Sequence, residues 1–582
     1  MNPDSGILTL FKEELASEEL SVRVNTIHRL PLVINLLANS PPSKEQLFTL
    51  LDSLIDNSDD DEVLFGFAQV LTCLSGFYPP QKLLSLYEKL LASEETIVRD
   101  KTIESFLSLT QKMDRTEMTT VIVPFVLKLA STQTFAAKMS VLSIMTDLFP
   151  MLNADEKGLI LEKIGLLFAE ESLILRRNLA SKLGKICKYL SKEALTVEVF
   201  NHFKNLTNDD SDSVRIITIE SLIELASVFN DEENKTFVIP LIIQMTGDKS
   251  WRVKLHLAKN FAKLAHAVGK DISDNSLISI FSTLLRDPEN EVRVASVRSL
   301  KQFVDCLNPD KIPQIFAYLQ SMAKDSVPLV RTGVCEVLQT ILRMDVNLLG
   351  KEVAKTRVQP ILIDLCQDKD TEVRIETLKI LPLWARFVGM YLLELITNGT
   401  LVVSQESPNW RIRLAVVECF GNIANEFKNP KAFDKNLRKI VAAGIADKAF
   451  QVRKHVIKSI KAWAVFLDDA TLTDLFFKEY LRVMADPLQF YTLRISAIYG
   501  LEATFAVLKS KDKVKDSYIK AMFKAAEDPI VNIRQVAVRL LASAVKKGPL
   551  GDIAETVKVL FAKIKSSEKD NEVRFIIEDF LR

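Results

Sequence analysis

Six cysteines and five histidines are the residues of this 582-residue chain best suited to hold a metal or attack a substrate. A zinc site would need them in clusters of short, defined spacing. Cys73, Cys187, Cys306, Cys335, Cys366 and Cys419 are spread over the chain without a CxxC, and the histidines form no HExxH. They read as free, mostly buried thiols of a reducing compartment. No GxSxG, GxxxxGK[ST] or GxGxxG stands ahead of the right elements, so no nucleophile elbow or phosphate cradle is expected. The acidic run "DNSDDDEV" (Asp56 to Val63) lacks the glycine and terminal glutamate of a calcium loop and reads as a solvated turn. These residues make no catalytic constellation. The chain is expected to be no enzyme, with no cofactor, no metal and no small-molecule substrate.

A different chemistry is written twice. "DKSWRVKL" (Asp248 to Leu255) and "SPNWRIRL" (Ser407 to Leu414) share Trp-Arg-aliphatic-basic, and Trp251 and Trp410 are two of only four tryptophans. Tryptophan beside arginine is the pairing that dominates protein interfaces. The elements that present it must therefore recur.

Lys+Arg and Asp+Glu are both 75, so no whole-molecule electrostatic grip on nucleic acid is expected. The N-terminus has no basic region followed by a long apolar run, and apolar stretches such as "FVIPLII" (Phe237 to Ile243) are far shorter than a membrane span. Only 17 glycines and 20 prolines interrupt a chain rich in Leu, Ile, Val, Ala, Lys and Glu. Such a chain is too long for one core and too poor in breakers for hairpins, which favours a helical repeat.

Comparing "DSVRIITIESLIELASVF" (Asp212 to Phe229) with "NEVRVASVRSLKQFVDCL" (Asn290 to Leu307) sets the frame. With the basic residue as zero, the series is Arg23, Leu64, Arg99, Lys138, Arg176, Arg215, Lys254, Arg293, Arg331, Arg374, Arg413, Arg453, Arg494, Arg534 and Arg574. From Arg99 onward the steps are 38 to 43 residues, so the two Trp-Arg motifs are the same position in repeats 7 and 11. Positions −1 and +7 are apolar in every copy, and +4 fails only at Glu578 in the last. Those offsets share one helical face and form a buried stripe. Position −6 is acidic in nine copies: Asp209, Asp248, Asp287, Asp325, Asp368, Asp447, Asp528, Glu170 and Glu568. Such a residue can cap helix N–H groups, or pair with the basic residue of a stacked neighbour. The expected ladder is Asp209, Arg215, Asp248, Lys254, Asp287, Arg293, Asp325, Arg331, Asp368, Arg374, Asp447, Arg453, Asp528 and Arg534. Proline at −14 (Pro124, Pro240, Pro360) is expected to bend the first helix of its repeat. Helix pairs of about forty residues with these marks resemble the HEAT repeat. The expected fold is all-α: an α-solenoid, or superhelix, of about fifteen HEAT repeats forming a curved rod over residues 1–582.

Position −3 is placed in the turn between the two helices of a repeat. It is aromatic at Phe135, Trp251, Trp410, Phe450 and Tyr491, three of them in consecutive repeats. The rings either fold back as fillers or stand out as a row of anchors for a partner protein. Trp384 and Trp463, at +10, read as core.

Fifteen such repeats, with "EETIVRDKTIESF", "SKLGKICKYL", "DDSDSVRIITIE", "DKSWRVK", "NWRIRLAVVE" and "DPIVNIRQVAV" in register, are similar to the scaffold (A) subunits of protein phosphatase 2A. That resemblance implies a non-catalytic scaffold that binds a catalytic serine/threonine phosphatase subunit together with an exchangeable regulatory B-type subunit. It implies catalytic-subunit contacts in repeats 11–15 (residues 391–582), at Trp410, Arg411, Phe450, Phe490 or Tyr491, Ile530 and Val531. It implies regulatory-subunit contacts in repeats 1–10 (residues 1–390), at Phe135, Trp251 and Arg252. The implied location is cytoplasmic, with the nucleus as a second place. The runner-up is another HEAT adaptor, such as a karyopherin-β-like nuclear transport receptor, which the neutral charge disfavours. Repeat 2 lacks its ladder arginine, repeat 10 is stretched near Arg343 to Arg357, and the repeat 13 turn reads as one residue longer than usual.

Overall fold

The β-branched and aliphatic stripe that follows each turn drives an amphipathic helix, and the chain forms one at every copy. The computed structural model describes residues 3–37, 40–58, 60–344, 349–403, 406–427, 436–546 and 550–582. Part of the stretched repeat 10 segment, residues 345–348, lies outside them. No strand occurs among the described residues. The fold is an all-α solenoid of stacked helix pairs. By internal contacts it divides into two compact units, Met1–Val292 and Arg293–Arg582.

The second helix of each repeat carries the frame. In every copy its first residue is position −3, as in Trp251–Val268, Trp410–Phe427 and Phe450–Trp463. Position −3 is therefore the helix start and not a turn residue, which corrects the sequence reading. Position −1 is buried in every copy except the first, where Val22 is half-buried. Position +7 is buried in every copy except the last, where Leu581 is half-buried. A terminal repeat has a neighbour on one side only, so its stripe is left partly uncovered.

Within the first unit, the second helices of repeats 5 and 6 (Leu173–Cys187 and Asp212–Val228) approach closely at Gly184. A Cβ there would stand 2.6 Å from the Ser221 Cα. The gap is used by Ser221, whose hydroxyl donates to the Ala180 carbonyl at 2.5 Å and accepts from the Gly184 amide at 3.1 Å.

The first helices contain single wide, π-type turns. Pro124, Pro240 and Pro360 each follow one, at Met118–Ile122, Asn234–Val238 and Ala354–Val358. The same turn occurs at Ala194–Val199, Ser273–Leu277 and Thr473–Phe477 without proline at −14. Proline therefore tolerates the wide turn, whose register spares it one amide bond, but does not create it. The wide turns also receive the core tryptophans. Trp384 is fully buried and donates its indole N–H to the Ala354 carbonyl at 2.9 Å. Trp463 is fully buried and stacks on Phe476 with centroids 5.6 Å apart.

Candidate functional site

The turn edge is built from the −6 acid upward. Asp248 bends back on its own turn and accepts the Ser250 amide at 2.7 Å. Asp209, Asp287, Asp325, Asp368, Asp447 and Asp528 do the same two residues on. This fixes the turn just ahead of the second helix, so the acid caps the turn more than the helix. The other face of the carboxylate meets the preceding repeat. Arg215 donates Nε and Nη2 to Asp248 at 2.8 and 2.9 Å, and Nη1 to the Asp209 carbonyl at 2.6 Å. One guanidinium thus ties its own turn to the next. Lysine cannot do both as a planar fork, and Lys254 reaches only Asp287, at 2.7 Å.

In the first unit these rungs join Lys138 to Glu170, Arg176 to Asp209, Arg215 to Asp248 and Lys254 to Asp287. Arg23 uses Asp60 instead of position −6. In the second unit they join Arg293 to Asp325, Arg331 to Asp368, Arg413 to Asp447, Arg494 to Asp528 and Arg534 to Glu568. The hydrogen bonds they donate to the carboxylate hold the Arg215, Arg331, Arg413 and Arg534 guanidiniums above the ordinary arginine value.

Among the described residues, two expected ladder arginines in the second unit meet no acid in the next repeat. Ser407 occupies −6 after Arg374, which donates only Nη1, to the Asp368 carbonyl. Leu488 occupies −6 after Arg453. Arg453 is buried and satisfied by neutral groups: Ser496 Oγ at 2.9 Å and the carbonyls of Asp447, Lys448 and Thr492. Burial pushes its pKa below the ordinary value. The cause is the repeat 13 turn. Asp486 makes the usual bond to the amide two residues on, Leu488, but stands eight residues before Arg494 rather than six. The turn is two residues longer, not one, and the acid is displaced from Arg453.

The extra residues are pushed outward. Leu488 is 92% exposed and Phe490 83%. Aromatic character at −3 does not reveal Leu488, although the Asp-to-Arg spacing of eight signals it. Trp410, Phe450, Tyr491 and Ile530 are also exposed, and Val531 is half-buried. Arg413–Asp447 and Arg494–Asp528 set their turns side by side, and Arg453 spans the turn between them. Phe450 lies under two cations, Arg453 and Lys454, at 5.8 and 5.7 Å from its centroid. Arg411 pairs with Glu372 of the preceding repeat. In the first unit, Phe135 and Trp251 are exposed at helix starts. Arg252 lies 5.8 Å from the Trp251 ring centroid and 3.9 Å from Asp212. Phe450 and Trp251 thus each combine an exposed apolar face with a cation, the composition of an interface hot spot.

None of the six cysteines is in a disulfide. Burial pushes Cys187, Cys335 and Cys366 up to about 12. Among the described residues no group of three or more His, Cys, Asp or Glu could hold a metal ion, and no helix is long and apolar enough to cross a membrane.

Two family models match parts of the chain: the PIK3R4-like middle domain over residues 188–312, and the sister chromatid cohesion protein PDS5 over residues 281–385. Among curated proteins, the PP2A regulatory (A) subunit of Schizosaccharomyces pombe is 29% identical over 266 residues, 45% of each chain. The beta isoform of the human 65 kDa regulatory (A) subunit of serine/threonine-protein phosphatase 2A is 26% identical over 372 residues, covering 62% of this chain and 61% of the relative. The PP2A regulatory (A) subunit of Saccharomyces cerevisiae is 26% identical over 275 residues, 44% of this chain and 42% of the relative. The chain thus matches between about two-fifths and three-fifths of the length of these relatives. It resembles the phosphatase 2A scaffold subunits. A crystal structure of the karyopherin Kap121p bound to the extreme C-terminus of the protein phosphatase Cdc14p superposes with a TM-score of 0.54 at 14% identity, covering 100% of this chain and 70% of that one. That likeness is one of fold.

Proposed function

We propose that this chain is a non-catalytic scaffold that assembles a phosphatase 2A-type holoenzyme. In this reading the turn edge of repeats 11 to 14 binds the catalytic serine/threonine phosphatase subunit, and the turn edge around Phe135, Trp251 and Arg252 binds a regulatory B-type subunit. The observation that carries it is the row of exposed apolar side chains at Trp410, Phe450, Leu488, Phe490, Tyr491 and Ile530, set at turns and helix starts joined by two ion pairs and by the neutral hydrogen bonds of Arg453. A monomer gains nothing from such a row, whereas a partner can bury it at the usual value of about 25 cal/mol per Å². The likeness to the regulatory (A) subunits of phosphatase 2A supports the choice of partner.

The function is tethering. Holding a catalytic subunit on one chain with a substrate-selecting one makes their meeting intramolecular and raises the effective concentration of substrate. No residue of this chain then needs to touch the reacting phosphate. The test is co-purification of serine/threonine phosphatase activity from an extract of the source cell. The wild-type chain is expected to retain activity, and the Trp410→Ala/Phe450→Ala variant to lose it. Retention by neither would refute the reading.

A further inference from the structure

The rung between repeats 10 and 11 is built for a carboxylate, and among the described residues no carboxylate is hydrogen-bonded to its arginine. Arg374 stands in the first turn of the second helix of repeat 10 (Thr371–Val388), in the same register as Arg331 and Arg413. Those two arginines each place Nε and Nη2 on the two oxygens of one Asp, Asp368 and Asp447, at 2.5 to 2.9 Å. Arg374 keeps the Nη1 bond to its own turn and leaves the Nε and Nη2 side without an acceptor among the described residues.

Ser407 explains the gap. It retains two of the functions of a −6 acid: its hydroxyl accepts the Asn409 amide at 3.3 Å, and its carbonyl accepts Arg413 Nη1 at 2.8 Å. Only the carboxylate is missing. In its place is a cavity of about 370 Å³ lined by Arg374, Ser407, Gln367, Cys366 and Ile412, with the exposed Glu406 on its wall. The cavity borders the proposed docking row, because Trp410 and Arg411 follow Ser407 within four residues and Arg411 pairs with Glu372, two residues before Arg374.

We infer that this cavity is an acceptor site for a partner's acidic side chain, with Arg374 as the bidentate receptor for an Asp or Glu carboxylate of the catalytic subunit docked on Trp410. The inference rests on the scaffold reading. Three features select a carboxylate on a protein. The fork is the one that takes carboxylates in the neighbouring rungs. The planar guanidinium matches two coplanar oxygens. The site opens beside the exposed Trp410 rather than deep in the core. A partner completing the rung would join its own chain to the same ladder that joins the repeats.

Ser407→Asp tests this by restoring the acid in cis. The purified catalytic subunit of phosphatase 2A is titrated onto the full chain and the Ser407→Asp, Arg374→Gln, Glu406→Gln and Trp410→Ala variants, with melting temperature recorded for each. Ser407→Asp is expected to raise the melting temperature and to weaken catalytic-subunit binding by about tenfold or more, because the receptor is already filled. Arg374→Gln is expected to weaken binding similarly. Wild-type binding that falls with Trp410→Ala but is unchanged by Ser407→Asp and Arg374→Gln would overturn the inference and leave the scaffold reading standing. Equal loss of melting temperature in Glu406→Gln and Arg374→Gln would show that Glu406 fills the rung in cis, and would also overturn it. Displacement of the Arg374 effect by millimolar acetate without any partner dependence would assign the site to a free anion instead. No binding by the wild-type chain would refute both.

Discussion

Arg331→Met and Arg453→Met make the same chemical change at the same repeat position, yet the structure assigns them different costs. Arg331 and Asp368 are both buried, with side chains 5% and 7% exposed. Removing the arginine strands the Asp368 carboxylate with the Asp370 amide as its remaining hydrogen-bond donor. Breaking a buried pair from one side costs about 3–5 kcal/mol. Arg453 has no carboxylate to strand; its loss frees a serine hydroxyl and three carbonyls. Neutral groups left short of a partner cost about 1–3 kcal/mol, and removing a desolvated cation offsets part of that. The expected gap is about 2 kcal/mol, or about thirtyfold in a local opening constant. Stability in a repeat protein is a sum over neighbours, so the readout must be local. Hydrogen exchange by mass spectrometry should show faster exchange in Pro328–Leu342 and Thr371–Val388 for Arg331→Met than in Phe450–Trp463 and Tyr491–Val507 for Arg453→Met. The double variant Arg331→Met/Asp368→Leu should recover most of the loss. Equal costs at the two arginines, or no recovery in the double variant, would refute the division into ionic and neutral rungs.

Cys187, Cys335, Cys366 and Cys419 are buried and their thiols are pushed up by desolvation, so they should resist alkylation at pH 8 in the native chain and react once it is unfolded in guanidinium. Glu568 is held below its ordinary value of 4.5, chiefly by the Arg534 hydrogen bond against desolvation. Its contribution is present above the unfolded pKa and lost as pH falls through the folded one. Glu568→Gln should therefore lower the thermal stability of the C-terminal repeats at pH 7, by a margin that shrinks below pH about 4.5. Gly184→Ala should destabilise repeats 5 and 6 by about 1–3 kcal/mol in denaturant melts, because the new methyl meets the Ser221 backbone, which cannot rotate away.

The repeat frame is legible in the sequence because burial repeats with it. An apolar −1 and +7 in every copy can only mean one face covered by neighbours, and their half-buried exceptions, Val22 and Leu581, fall in the two end repeats. The acid at −6 is legible as a turn or ladder residue, and it acts as both. The broken rungs are less legible. Ser407 and Leu488 are ordinary residues whose meaning lies in the carboxylate they replace, and that shows only once Arg374 and Arg453 are seen facing them. The long repeat 13 turn reads one residue too short in the sequence, because the aromatic at −3 keeps its register while the acid moves to Asp486. Position −3 reads as a turn because bulky aromatics are uncommon helix starts; the Asp-fixed turn ends one residue earlier and leaves them at the first helical position. The wide turns carry no sequence signal, since proline marks only three of the six among the described residues.

The exposed row of the second unit is proposed as a docking edge for a phosphatase catalytic subunit. Isothermal titration of the purified catalytic subunit into the full chain measures this directly. One-to-one binding is expected, weakened by about a hundredfold or more in Trp410→Ala/Phe450→Ala, since two hot-spot truncations together remove at least about 3 kcal/mol. Trp251→Ala, on the other unit, is expected to bind as the wild type. An affinity unchanged by the double substitution, or lost equally with Trp251→Ala, would contradict the proposal.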